Sequence, residues 1–200
     1  MPRIHQNKIG PGRSPDQSQS EAAPAGAAAD PAAGAVNLPF CGDFDMRIAR
    51  DGTWFYRGSP IGRKPLVKLF STVLRREPDG SYWLVTPVER GRILVDDAPF
   101  TAVELTVAGS GHDQTLCFRT NVDDEVTADR EHPIRVAHDP ETGEPSPYIM
   151  VRNGLEARLL RSVYYHLVEL GEERREGGVT TFGVWSMGVF FALGSLEEGS

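Results

Sequence analysis

The run Gly58-Ser59-Pro60-Ile61-Gly62-Arg63-Lys64 stands directly before an apolar stretch of helical spacing and has the residue types to hold an anion. Two glycines and a basic pair ahead of a helix invite comparison with a phosphate loop. The spacing is one residue short, however, and Pro65 occupies the place of the Ser or Thr that would ligate Mg²⁺. A simpler chemistry remains. A helix start offers unpaired N–H groups and the positive end of the peptide dipoles, and a basic side chain beside it favours negative charge. Arg161-Ser162 sets up the same arrangement before a second helical stretch. Arg63, Lys64 and Arg161 are therefore candidate phosphate contacts. Pairing with carboxylates such as Glu89 or Glu156 is the open alternative.

Thr86-Pro87-Val88-Glu89 and Phe118-Arg119-Thr120-Asn121 each place polar groups after an apolar run. Polar residues at strand ends can line a cleft between packed sheets, so Glu89, Thr120 and Asn121 can hydrogen-bond a base or ribose; Glu89, Asn121 and Arg152 are the expected contacts that orient the ligand beyond its phosphate. Asn and Thr also bond readily to nearby backbone, which would make them turn residues instead. Asp96-Asp97 and Asp123-Asp124-Glu125 lack the loop pattern of a calcium site and read as solvated turns. The five histidines show no zinc spacing. Cys117 alternates with Leu116 and Phe118 as a small core residue would, and Ser186 lies in Trp185-Ser186-Met187-Gly188, which is not a nucleophile elbow. No catalytic signature, metal or cofactor is implied, and the reading is non-enzymatic.

These residues need elements to hold them. Met46–Arg50 and Thr53–Arg57 flank Asp51-Gly52, a pair suited to a tight hairpin turn. Leu66, Val67, Leu69, Phe70, Val73 and Leu74 recur at helical spacing, with Pro65 in the first turn and Pro78 as the expected stop. Strands are expected at 81–86, 91–96, 101–108 and 115–120. A second series follows: strands at 134–138 and 148–152, then a helix capped by Ser162 and stopped by Gly171. A closing hairpin over 180–185 and 188–193 completes it. The segment 156–160 extends the sheet or begins the helix.

The net charge of −7 is unevenly spread. Residues 38–110 carry ten basic and nine acidic side chains, whereas residues 111–200 carry eight and sixteen. So acidic a half repels phosphate backbones, which argues against general nucleic-acid binding. No apolar run approaches the length of a membrane span, and the N-terminal residues lack the apolar stretch of a signal peptide. Two unpatterned cysteines read as reduced thiols, which points to a cytoplasmic protein. Glu21–Val36 is rich in Ala, Pro and Gly with nothing bulky to bury, so residues 1–37 read as a disordered tail.

The two series correspond residue by residue. Met46-Arg47-Ile48-Ala49-Arg50-Asp51 parallels Ile134-Arg135-Val136-Ala137-His138-Asp139, and Tyr82-Trp83-Leu84-Val85 parallels Phe182-Gly183-Val184-Trp185. The expected fold is therefore α+β: two diverged β-β-α-β-β repeats, at 38–110 and 111–200, in mostly antiparallel sheets.

Several runs also resemble a bacterial family of uncharacterised proteins, domain of unknown function 1285. They include Asp51-Gly52-Thr53-Trp54, Trp83-Leu84-Val85-Thr86-Pro87-Val88-Glu89, Asp97-Ala98-Pro99-Phe100, Val151-Arg152-Asn153-Gly154-Leu155-Glu156-Ala157 and Gly183-Val184-Trp185-Ser186. The resemblance implies a duplicated core whose C-terminal half is superficially like a pleckstrin-homology fold. It also implies a nucleotide-like ligand between the halves and a part in signal transduction. The resulting expectation is a sensor or regulatory module with a nucleotide-like small molecule and a signalling protein as partners. A protein–protein adaptor without a small ligand is the alternative.

Overall fold

The hairpin around Asp51-Gly52 forms as its residues dictate. In the computed structural model, which describes residues 40–196, strand β1 (Phe40–Ile48) turns there into β2 (Trp54–Tyr56). The Asp51 carboxylate accepts the Thr53 N–H at 2.9 Å, and Gly52 takes φ +84°, a region glycine enters without steric cost. The tail expected at 1–37 lies outside the described residues.

Helix α1 (Lys64–Val73) follows the short strand β3 (Ser59–Pro60). It ends five residues before the expected stop at Pro78. Leu74 leaves the helix because its side chain is fully buried in a further strand, β4 (Leu74–Arg76), opposite Leu84. Burial of a leucine contributes about 1.5–3 kcal/mol, more than the helix propensity of one residue. β5 (Tyr82–Val85) and β6 (Arg90–Val95) complete the first sheet, in the order β3-β2-β1-β6-β5-β4. Its central pair, β1 and β6, is parallel and the rest antiparallel.

The chain then builds a second sheet from β7 (Phe100–Ala108), β8 (Thr115–Thr120), β9 (Glu125–Thr127), β10 (Ile134–His138), β11 (Pro145–Arg152) and β12 (Leu155–Leu159). The order is β10-β11-β12-β7-β8-β9, again with one parallel pair, β12 and β7. The sheets change hands between Val95 and Phe100, so β7, expected in the first half, pairs within the second sheet. Residues 156–159 belong to strand β12 rather than to the helix, and Leu160 stands between the two. Helix α2 (Arg161–Glu169) follows, preceded by Leu160, so Ser162 sits inside the first turn and does not cap it. β13 (Glu172–Glu176), β14 (Val179–Ser186) and β15 (Val189–Leu196) form a three-stranded antiparallel sheet.

The layout is duplicated, with one more strand on each side of the helix than expected. β1-β2-β3-α1-β4-β5-β6 corresponds to β10-β11-β12-α2-β13-β14-β15. In the first series, β1 and β6 join the two halves into one sheet. In the second, β10 lies alongside β15 without a ladder, and β12, at the other edge of its group, takes β7 as its partner. Trp54, Phe100 and Phe118 are the largest side chains in one continuous core that also takes in Leu84, Leu167 and Phe191. On the solvent side of the sheets each series lays a guanidinium over an indole: Arg90 above Trp83 at 4.1 Å and Arg174 above Trp185 at 5.5 Å.

Candidate functional site

Helix α1 carries Leu66, Val67, Phe70 and Val73, yet none of them is fully buried, and the only buried residue of the helix is Ser71. In α2, by contrast, Val163 and Leu167 are fully covered. The apolar face of α1 stays half open because it roofs a cleft of about 510 Å³. Leu66, Phe70 and Val73 form the roof, and Phe44, Met46 and Leu84 of the first sheet form the floor. Tyr56 and Ile61 close one side, with Thr86 and Glu89 of the β5–β6 turn also in the wall. The floor depends on Gly91: a Cβ there would stand 2.5 Å from the Phe44 ring. At the turn, Thr86 Oγ1 accepts the Glu89 N–H at 3.1 Å and fixes Glu89 beside the cleft. Three aromatic rings, an apolar floor and a few polar groups match a small-ligand pocket in both size and composition.

The opposite face of α1 is held by the second sheet. Lys64 Nζ and Lys68 Nζ reach the two carboxylate oxygens of Asp123 at 2.7 and 3.1 Å, and Arg119 approaches the same group at 3.5 Å. Lys64 and Lys68 hold the Asp123 carboxyl below its usual range, chiefly through their hydrogen bonds to it. Arg152 pairs with Asp124, donates to the Ser71 carbonyl at 3.0 Å, and lies 4.9 Å above the Phe100 ring. Asn121 accepts the Thr101 N–H at 3.1 Å and donates to the Gly52 carbonyl at 3.2 Å.

The six residues singled out in the sequence therefore do not converge. Lys64, Asn121 and Arg152 join the first sheet and α1 to the second, by contacts within the chain. Arg161 sits by a separate cavity of about 140 Å³, next to Glu144 at 3.3 Å, and shares no described cavity with Arg63. Glu89 alone of the six lines the cleft under α1. Arg63 stands at its edge in sequence, between the wall residues Ile61 and Leu66, and its side chain is exposed with no partner among the described residues. The start of α1 also offers less than expected. Pro65 has no N–H, and the Leu66 and Val67 N–H groups are spent on the Arg63 carbonyl. The cleft itself was missed because its walls come from six separate stretches of chain. Its only signal was the run Leu66, Phe70 and Val73, which reads as ordinary core.

Ser186 is buried, donating to the Ala128 carbonyl at 2.7 Å and accepting the Leu116 N–H at 3.0 Å, so it ties the third sheet to the second. Cys117 is a partly buried free thiol. His112 stacks on Trp185 with ring centroids 3.7 Å apart. Among the described residues no His, Cys, Asp and Glu side chains cluster as a metal site would require, and no helix is long and apolar enough to cross a membrane.

Comparison with known proteins gives consistent results. A crystal structure of a DUF1285 family protein from Silicibacter pomeroyi DSS-3 is 56% identical, with a TM-score of 0.74, covering 81% of this chain and 86% of that one. A second DUF1285 family crystal structure, from Shewanella baltica OS155, is 28% identical, with a TM-score of 0.49, covering 62% and 90%. No curated protein matches the chain. Residues 35–98 match the N-terminal domain of unknown function (DUF1285), residues 99–193 match the C-terminal domain of that protein family of unknown function, and the chain belongs to the DUF1285 family.

Proposed function

We propose that the protein is a non-enzymatic sensor or regulatory module that binds a small anionic ligand with an apolar or aromatic body. Nucleotides and coenzymes belong to this class. The body occupies the cleft under α1, and the anionic group meets Arg63. The observation that carries the reading is the half-covered apolar face of α1 above a cleft of about 510 Å³. Phe44, Tyr56 and Phe70 supply rings for a planar group, and Thr86 and Glu89 supply polar contacts at the wall. A polyanion lying between the two repeats has less support, because Lys64, Arg152 and Arg161 already face Asp123, Asp124 and Glu144.

Isothermal titration against a panel containing AMP, flavin mononucleotide and coenzyme A tests the reading. At least one should bind with 1:1 stoichiometry. Leu66→Arg, which puts a charge into the roof, should abolish that binding, and Arg63→Ala should weaken it by about tenfold, as loss of a charged hydrogen bond does. Heat from none of the panel, or binding indifferent to Leu66→Arg, would remove the reading.

A protein–protein adaptor is supported by a different surface. Trp185, Phe190, His112 and Arg174 cluster on the solvent side of the third sheet, with exposed Met187 at the adjoining turn. Aromatic and arginine side chains of this kind dominate binding hot spots. A pleckstrin-like role for the second half would use such a surface. A stoichiometric partner lost on Trp185→Ala, but retained by Arg63→Ala, would favour this reading.

A further inference from the structure

We propose that α1 relays the state of the cleft to the second half of the protein through Asp123; the relay rests on the cleft reading above but concerns how occupancy is transmitted. The two faces of the helix are its basis. At 100° per residue, Leu66, Phe70 and Val73 share one side, and Lys64, Lys68 and Ser71 share the opposite one. The first side roofs the cleft. The second meets the second sheet and its β8–β9 turn, through Asp123 on the two lysines and Arg152 on the Ser71 carbonyl. A helix moves as a rigid rod, so whatever displaces its roof side displaces its clamped side as well.

One carboxylate holds both Lys64 and Lys68, at 2.7 and 3.1 Å, so a displacement of the helix bears on both contacts at once. Asp123 itself sits at φ +63°, a sparsely populated region for a residue with a side chain. Lys64 and Lys68 hold its side-chain carboxylate, so a change at α1 reaches the β8–β9 turn through Asp123. That turn is held by the Asp123 N–H on the Thr120 carbonyl and the Asp124 N–H on the Thr120 hydroxyl, at 2.9 and 3.0 Å. Asp124 in turn pairs with Arg152, which grips α1 one turn further along. The turn and the helix therefore form a closed loop of contacts, and the cleft lies on its far side.

The test needs no ligand, so it stands apart from whether the panel binds. Leu66→Trp fills the cleft from its roof. Hydrogen exchange of the Asp123 and Asp124 amides should rise at least about fivefold in that variant, the lower end of a typical coupling between sites. Amides of β14 serve as the reference for global stability. With Asp123→Gly as the control for the cost of a side chain at φ +63°, the reverse arm uses Asp123→Ala, at an exposed position. The methyl resonances of Leu66 and Val73, across the helix, should shift in that variant, whereas those of Leu193 should not. Unchanged turn exchange in folded Leu66→Trp, or unmoved cleft methyls in Asp123→Ala, would overturn the relay. If Leu66→Trp does not fold, the Asp123→Ala arm alone decides.

Discussion

Asn121→Ala separates a structural role from a ligand-binding one. The native amide bridges two backbone groups from different halves of the chain, the Thr101 N–H and the Gly52 carbonyl. Both residues are buried, Thr101 at 2% exposure. Truncation leaves a donor and an acceptor without partners, and each orphan costs about 1–3 kcal/mol. The expected loss is therefore about 2–6 kcal/mol. With a urea m-value of about 2 kcal/mol/M, the unfolding midpoint should fall by about 1–3 M at unchanged m. Asn121→Asp keeps an acceptor for Thr101 but loses the donor to Gly52, so it should fall between wild type and Asn121→Ala. A ligand-binding asparagine without these bonds would leave the midpoint in place. A shift under about 0.25 M for Asn121→Ala, below about 0.5 kcal/mol at that slope, would refute the reasoning.

Three further outcomes follow from the same contacts. Gly52→Ala should destabilise by about 1–3 kcal/mol in urea unfolding, since φ +84° disfavours a side chain and the new Cβ would stand 2.7 Å from Asn121 Nδ2. Arg152→Met should cost about 1–3 kcal/mol in the same assay, because the Ser71 carbonyl and Asp124 lose a charged partner while the packing over Phe100 is kept. Unfolding followed against pH should show stability falling on the acid side. The folded-state pKa values of Asp51, Asp79, Asp96 and Asp123 lie below the ordinary 3.8, held down by hydrogen bonds from Thr53, Ser81, Arg47 and Lys64 respectively. Their contribution is present above that value and is lost as pH falls through the lowered folded-state values. Asp123→Asn should reduce the acid-side slope, and an identical profile would count against the Lys64 and Lys68 contacts.

The local chemistry of the fold was legible in the sequence. Asp51-Gly52 announces its hairpin, and the spacing of Leu66, Phe70 and Val73 announces α1. The match of 46–51 with 134–139 announces the duplicated layout. What was not legible came from tertiary competition. The helix pattern ran on through Leu74, but a fully buried place opposite Leu84 drew that residue into β4. β13 is Glu-Glu-Arg-Arg-Glu, wholly exposed, and has no apolar alternation to read; it is a strand because β14 lies beside it. Asn121 and Arg152 read as ligand contacts, and in the fold they bond the chain's own groups: polarity at a strand end does not say whether the partner is a ligand or the chain itself. The cleft draws on Phe44, Tyr56, Ile61, Leu84 and Glu89 as well as α1, and only the folded chain brings those stretches together.

The cleft is tested most directly by locating a small aromatic anion on the protein. With methyl-labelled protein and 1-anilinonaphthalene-8-sulfonate, intermolecular nuclear Overhauser effects should reach the methyl groups of Ile61, Leu66, Val73 and Leu84. Effects confined to exposed apolar side chains elsewhere on the surface, such as Leu94, Leu160 or Val179, would contradict a binding cleft under α1.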